Sequence, residues 1–389
     1  MFAQKEVEEI PVLSNSAEQP IRIAHIVGKT VRSGVETFVI NYYRHINRNR
    51  YQFDLIVDAD STYSWEEEVN VLGGRVYTVA PYQDFFENQK DLTSLFRKNQ
   101  YKIVHSHLNS LSIFPLMAAQ QVGVPIRIAH SHSTAGKGEF KRNCMKHILR
   151  PFAKVFPTDL WASSAHSAKW LFGERYFTDG NVRILKYAIE TDKFTFNAQI
   201  RDKIRKQYQI KNQFVIGHIG RFNNQKNHDF LIDIFAEIHQ LKPDSVLLLI
   251  GNGPLLPIIK EKVSRLNLTP NVIFAGIQKE PADFYQAMDV FLFPSLYEGL
   301  GIVGIEAQAS GLPVIASTCV PKELEVTDLV RFLSLNSSPC DWATETLKFG
   351  LDYPRNDTHE EIISAGYDIS KEAAQLENFY ADCLFRMRK

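Results

Sequence analysis

Two glutamates eight positions apart, Glu298 and Glu306, flank a glycine-bearing turn within FLFPSLYEGLGIVGIEAQASGLPVIA, residues 291–316. An apolar run, Val290 to Phe293, stops at Pro294-Ser295, and Gly299 and Gly301 allow a ligand to approach the backbone closely. A helix-compatible segment starts near Ile302, carries Glu306 and stops at Gly311-Leu312-Pro313. The free N–H groups at such a start favour an anion. Two carboxylates on either side of it can reach different parts of one ligand.

Two cations offer a complementary chemistry. Arg221 and Lys226 lie in GRFNNQKN, between an apolar run ending at Gly220 and a helical pattern marked by Phe230, Leu231, Ile234, Phe235 and Ile238. Arg binds two oxygens in a fork and Lys supplies a point charge, so the pair suits a diphosphate; the bland alternative is a charged surface loop. Gly251 and Gly253, in GNGP, permit a tight turn and close approach. His105, His107, His130 and His132 fall at the ends of two apolar segments, 101–107 and 124–132. Ligands of open α/β sheets bind at strand C-terminal ends, although each histidine could equally hydrogen-bond a loop. No cysteine or acidic residue adjoins these HxH pairs, so no metal is expected there.

Positioning these groups requires strands that alternate with helices. Ile21–Val27 reads as a buried strand, followed by a loop through Ser33-Gly34 and a helix marked by Val35, Phe38, Val39, Tyr42 and Ile46. GxGxxG is absent from it. The strand-glycine-helix pattern restarts at Phe214–Gly220 after a polar stretch, 195–212, where the domain boundary is placed. At 389 residues, two domains are expected: 21–200 and 201–370, preceded by a polar tail, 1–20, and followed by a helix, 371–389, packing back on the first domain. The composition is that of a soluble protein, 44% apolar and 23% charged, and 44 basic residues balance 44 acidic ones, which gives no argument for nucleic acid. Four cysteines without CxxC point to a cytoplasmic chain lacking a disulfide framework. Residues 137–154 are locally basic, with Arg142, Lys146 and Arg150 spaced to share a helix face beside Phe140, Met145, Ile148, Leu149 and Phe152. Such a helix can lie on an anionic bilayer or be an ordinary solvated surface.

In order and spacing, VIGHIGRFNNQKN, LLLIGNGP, VIFAG and DVFLFPSLYEGLGIVGIEAQASGLPVIAS resemble the retaining glycosyltransferase family 4. RIAHSHST and the basic segment after it resemble the bacterial exopolysaccharide and capsule enzymes of that family. The resemblance implies the α/β GT-B architecture, two Rossmann-like domains with parallel sheets facing a cleft. It implies that the N-terminal domain binds the acceptor and the C-terminal domain the nucleotide sugar. Arg221 and Lys226 would hold the donor diphosphate, Glu306 the ribose, and Glu298 the sugar near the reacting centre. Backbone N–H groups from Gly299 through Leu300 and Gly301 to Ile302 would bind sugar and phosphate, and Gly34 would admit the donor phosphates. A histidine beside the anomeric carbon is also implied; His130 and His132 both fit, and His130, nearer the strand end, is preferred. His107 and His132 are then cleft or acceptor residues. The chain departs from the family at Ser33-Gly34, often two glycines, and at Tyr187-Ala188-Ile189-Glu190, often Asn-Gly-Ile-Asp.

The implied reaction is transfer, with retention, from a nucleotide sugar, a UDP-sugar above all, to a glycan or polyprenyl-linked acceptor. No cofactor is expected: the nucleotide sugar is a substrate, and the resemblance implies no required divalent metal. The implied place of action is the cytoplasm, at the inner membrane face. Two alternatives are a non-catalytic partner subunit of another transferase and a sugar-nucleotide epimerase.

Overall fold

The computed structural model of the chain describes residues 19–31, 34–132, 140–350 and 353–387; the side chains of 140–144 are not among those described. The polar tail up to residue 18, Ser33, Lys137 and the side chains of Lys141 and Arg142 therefore lie outside the described residues.

Seven strands build the first sheet: β1 (Ile21–Gly28), β2 (Tyr51–Asp58), β3 (Arg75–Val79), β4 (Ile103–Ser106), β5 (Ile126–Ser131), β6 (Asp159–Ala162) and β7 (Val182–Ile184). Six build the second: β8 (Phe214–Ile219), β9 (Ser245–Ile250), β10 (Val272–Gly276), β11 (Val290–Phe293), β12 (Val314–Ser317) and β13 (Val330–Leu333). Their orders are β3-β2-β1-β4-β5-β6-β7 and β10-β9-β8-β11-β12-β13. Neighbouring strands pair in parallel throughout. Helices cover both faces, so the strands read as continuous apolar runs; every residue of SVLLLI in β9 is buried. Each sheet reverses its order once, between β1 and β4 and between β8 and β11. Loops leaving such adjacent strands diverge and open a crevice at their C-terminal ends.

The last helix, Ile369–Arg386, buries Ile369, Ala373, Leu376, Phe379, Tyr380 and Cys383 at helical spacing, and these residues join the core beneath β1, β2 and β4. Before that helix, Ile189 N–H donates to Tyr367 O at 2.8 Å and Ile369 N–H to Ile189 O at 2.9 Å, tying the helix start to the connection between the domains. That connection is held from the other side by Asn41, donating to Ala188 O at 2.8 Å, and Tyr42, donating to Lys186 O at 2.7 Å.

The polar stretch 195–212 contains a helix, Ala198–Gln207, capped by the Asn197 carboxamide oxygen. Its charge hides a buried contact. Arg201 and Arg205, one turn apart, donate to Asp289 at 2.6 and 2.7 Å, and Val215 N–H donates to the same carboxylate at 2.7 Å. Asp289 thus pins this helix to the start of β8 and β11. Asp289→Ala would leave Arg205 buried without its counter-charge and should cost about 3–5 kcal/mol of stability. An unchanged urea-unfolding midpoint for the C-terminal domain would show that the network contributes nothing.

Candidate active site

The C-terminal half of the site grows from two adjacent strands. β8 and β11 pair through Val290–Ile216 and Phe291–Gly217, so the loops that follow them lie side by side. The first loop is held by backbone: Gly220 N–H donates to Ile250 O at 2.9 Å, Phe222 N–H to Asn252 O at 3.0 Å and Leu255 N–H to Phe222 O at 3.0 Å. A Cβ on Gly251 would stand 2.1 Å from Gly220 O, and one on Gly253 2.4 Å from Phe222 O. Both glycines admit this neighbouring loop. Its short helical turn, Asn224–Lys226, is capped by Asn223.

Across to the second loop, Lys226 Nζ lies 2.7 Å from Glu298 Oε1, and Gln225 Nε2 donates to Glu298 Oε2 at 3.1 Å. Both members of this ion pair are largely enclosed. The expected phosphate cation and sugar carboxylate therefore hold each other, and Gln225 was not anticipated. Arg221 is exposed. Leu300 is buried, while Gly299 is exposed. Gly301 adopts φ +86°, and a Cβ there would lie 2.6 Å from the Phe293 ring, so this turn requires glycine. The Ile302–Ala309 helix that starts from it carries Glu306, whose Oε2 accepts from the Tyr285 hydroxyl at 2.7 Å. Burial pushes the Glu306 carboxyl up; the Tyr285 bond and the Lys226 charge oppose that.

Histidines dominate the N-terminal half. The register sets His25 of β1 beside His105 of β4. One step past the Ser106–Ala129 pair, His107 and His130 continue that row, and His132 follows. All five are buried on one pleat face. His25 Nδ1 lies 3.0 Å from His107 Nε2, His107 Nδ1 2.9 Å from His132 Nε2, and His132 Nδ1 3.0 Å from the Tyr187 hydroxyl. A second chain joins His130 Nδ1 to His105 Nε2 at 3.1 Å and His105 Nδ1 to the Tyr380 hydroxyl at 3.1 Å. Burial holds all five imidazoles neutral: His132 is lowered to about 3, the others well below their usual value, with neighbouring histidines adding to the effect. His25, Tyr187 and Tyr380 were missed by the sequence reading. His25 could have been found, because it shares the pleat phase of the HxH pairs on neighbouring strands.

The two halves meet. A cleft of about 500 Å³ is lined by Gly34, Phe38 and Tyr187 on one side and by Ile302 and Glu306 on the other. Among the described residues, a Cβ on Gly34 would touch only Tyr187, at 3.9 Å, and one on Gly299 only His132 O, at 3.8 Å. Neither glycine is demanded by packing among the described residues, and both face the gap. β5 runs through Ser131, two residues beyond the apolar run. The residue whose backbone meets the 299 loop is consequently His132, while His130 is enclosed behind it. His107 also borders a cavity of about 350 Å³ with Lys29, Asp58, Asn88 and Phe114. There burial and the Asp60 charge push the Asp58 carboxyl up to about 6, opposed by Lys29.

The basic segment forms the Phe140–Leu149 helix and a following turn. Met145, Ile148, Phe152 and Val155 are exposed. The Arg150 guanidinium stands 5.6 Å over Trp170 and the Lys154 ammonium 4.0 Å over Tyr176. No helix among the described residues is long and apolar enough to cross a membrane.

Known proteins match this arrangement. The model for "Glycosyl transferases group 1" matches residues 213–348 and that for "Glycosyltransferase Family 4" residues 32–171. EpsF of Bacillus subtilis (strain 168), a glycosyltransferase by name, is 31% identical over 377 residues, covering 94% of this chain and 97% of its own. The UDP-Gal:alpha-D-GlcNAc-diphosphoundecaprenol alpha-1,3-galactosyltransferase of Escherichia coli is 25% identical, covering 94% and 98%. Among solved structures, Anabaena HepE in complex with UDP superposes with a TM-score of 0.76 at 17% identity, covering 93% of this chain and all of that one.

The neutral histidines set a pH dependence. An unfolded histidine titrates near ~6.5, and the folded values are lower, so below that pH the unfolded state binds more protons. Their contribution is complete above pH ~6.5 and is lost as pH falls towards the folded value of about 3 for His132. Each histidine held neutral should remove about 1.4 kcal/mol per pH unit in that window. Urea midpoints measured from pH 7 to 5 should fall steeply; a flat profile would contradict the buried neutral ladder.

Proposed function

The chain belongs to glycosyltransferase family 4 and has the GT-B fold, and from that premise we propose that it is a retaining transferase moving a sugar from a UDP-sugar to a lipid-linked glycan in bacterial surface-polysaccharide synthesis. The observation that carries this reading is the approach of the His132 backbone to the Gly299 loop, beside the Lys226–Glu298 pair. It gives one gap a carbonyl on one wall and cations with a helix start on the other. The UDP held by HepE and the UDP-Gal and diphosphoundecaprenol in the E. coli relative's name support the choice of donor and acceptor.

Glu306 takes the ribose hydroxyls through the oxygen that Tyr285 leaves free. Arg221, Lys226 and the first N–H groups of the Ile302–Ala309 helix take the diphosphate. Lys226 exchanges Glu298 for phosphate as the donor enters, and the released carboxylate turns to the sugar hydroxyls. The bond from the anomeric carbon to phosphate oxygen breaks with its electron pair going to UDP. The acceptor oxygen bonds to that carbon from the same face and passes its proton to the departing phosphate oxygen. The His132 carbonyl, which accepts from Ser163 Oγ at 3.4 Å, turns its negative end to the electron-poor carbon, and His107 and His130 pack against the imidazole of the same residue. The charge building on phosphate is met by Arg221, Lys226 and the helix dipole, without a metal in this step. The exposed apolar residues 145–155, flanked by Arg150 and Lys154, rest on anionic lipid at the cytoplasmic membrane face, where a lipid-linked acceptor is presented.

A nucleotide-sugar screen with an undecaprenyl-diphosphate-linked acceptor tests the reading. UDP release should require both substrates. Arg221→Ala and Glu298→Gln should each lower kcat/KM by about 10²–10³-fold, and unchanged turnover in both would refute the assignment. Glu306→Gln should weaken UDP binding in calorimetry more than Glu298→Gln does. Absence of UDP binding at millimolar nucleotide would identify a non-catalytic partner, and donor consumption without acceptor an epimerase.

Vesicles containing anionic lipid should sediment the protein, and added salt should weaken the association. Binding that is absent, or indifferent to salt, would leave 137–154 as a solvated surface.

A further inference from the structure

The transfer chemistry uses the outward carbonyl of His132. It leaves unexplained why five imidazoles are gathered behind that carbonyl. Two of their nitrogens, His25 Nε2 and His130 Nε2, are buried and have no hydrogen-bond partner among the described residues. Two sets of three, His25-His105-His107 and His107-His130-His132, each offer one ring nitrogen per residue within 4.8 Å of the others.

We propose that His107, His130 and His132 bind one divalent transition-metal ion, of the zinc type, which locks the C-terminal ends of β4 and β5 against the cleft. A ligating histidine characteristically donates its second ring N–H to a fixed partner. With His107 Nδ1, His132 Nε2 and the unpartnered His130 Nε2 as ligands, every second nitrogen is provided for. His132 Nδ1–H donates to the Tyr187 oxygen, His130 Nδ1–H to His105 Nε2, and His107 Nε2–H to His25 Nδ1. His105 passes the pattern on to the Tyr380 oxygen. The other set fails this test. With His25 Nδ1 as a ligand, the second nitrogen of His25 is the buried one that has no partner.

Distances agree. His107 Nδ1 and His132 Nε2 are 2.9 Å apart across a shared proton. Two nitrogens at a tetrahedral zinc, each at about 2.0–2.1 Å, stand roughly 3.3 Å apart, so replacing that proton by the ion moves them by a few tenths of an ångström. The His130 ring stacks on His132 with centroids 4.0 Å apart, and it offers a ring nitrogen within 4.8 Å of one from each of His107 and His132. Three imidazoles without carboxylate or thiolate select zinc-like ions over magnesium or calcium. The fourth ligand is water, entering from the cavity whose wall includes His107. The ion lies behind the His132 carbonyl and takes no part in the transfer step, so its role is positional.

Full-length protein should be incubated with Zn²⁺, freed of excess by gel filtration and analysed for metal content, with X-ray absorption at the zinc edge and visible spectra of the Co²⁺ form. The expected result is one ion per chain in a shell of imidazole nitrogens with a light fourth ligand, and a thermal midpoint that falls on chelation. His130→Gln should abolish retention, His25→Gln should keep it, and Tyr187→Phe should weaken affinity about 10–100-fold. Absence of stoichiometric metal, retention in His130→Gln, or a shell dominated by carboxylate or sulfur would overturn the proposal. If His130→Gln does not fold, the wild-type absorption spectrum and the Tyr187→Phe affinity decide: an imidazole shell with weakened binding supports the site, and either one failing overturns it. UDP release by the zinc-free chain is a separate readout, so failure here leaves the transferase reading intact.

Discussion

Parallel pairing is the constraint on which the rest of this structure depends. Strands paired in one direction end on one edge of their sheet, so each domain has one edge from which loops emerge after strands. The switch points between β1 and β4 and between β8 and β11 then choose which loops can splay apart. The glycine loop after β1, the histidine loop after β4, the cation loop after β8 and the Glu298 loop after β11 all leave from those places, and β5 sets its histidines beside those of β4. Register does the rest: because side chains alternate with a period of two, a shift by one residue in β4 or β5 would send its histidines to the opposite face.

At the C-terminal edge the same adjacency produces an enclosed ion pair between Lys226 and Glu298. Enclosed charges without partners are costly, and before any donor is present these two neutralise each other. The pair keeps the two loops in register with each other. On the proposed reading, it also makes donor entry an exchange of partners for Lys226. The backbone lacing of Gly220–Phe222 onto 250–255 supplies a rigid floor, because three hydrogen bonds and two contacts that only glycine allows leave that loop little freedom.

The C-terminal helix unites the two domains more closely than chain order suggests. Its start is pinned to the interdomain connection at Ile189, and its far end supplies the hydroxyl of Tyr380 to His105. A movement of one domain against the other therefore passes through residues 186–190 and 367–369, both tied to backbone partners. Tyr187, in the place where the family often has Asn, joins this hinge to the histidine ladder.

The sequence by itself determined the strand-helix alternation, its restart at Phe214 and the presence of an anion-favouring turn at 298–302, because buried parallel strands and glycine-bearing loops leave a local, periodic trace. It also marked Glu298, Glu306, Arg221 and Lys226, the groups that by family resemblance are proposed to meet a nucleotide sugar. Only the tertiary structure decided that Lys226 and Glu298 are partners, that Gly251 and Gly253 serve a neighbouring loop, and that the polar helix 198–207 buries Arg205 against Asp289. The apolar run stopped short of the end of β5, since His130 and Ser131 are polar residues within a strand, and so only the structure set the backbone of His132 rather than His130 against the 299 loop. Five histidines spread over more than a hundred positions became one cluster for the same reason. Contacts across strands depend on register and sheet order, and neither is written in local residue type.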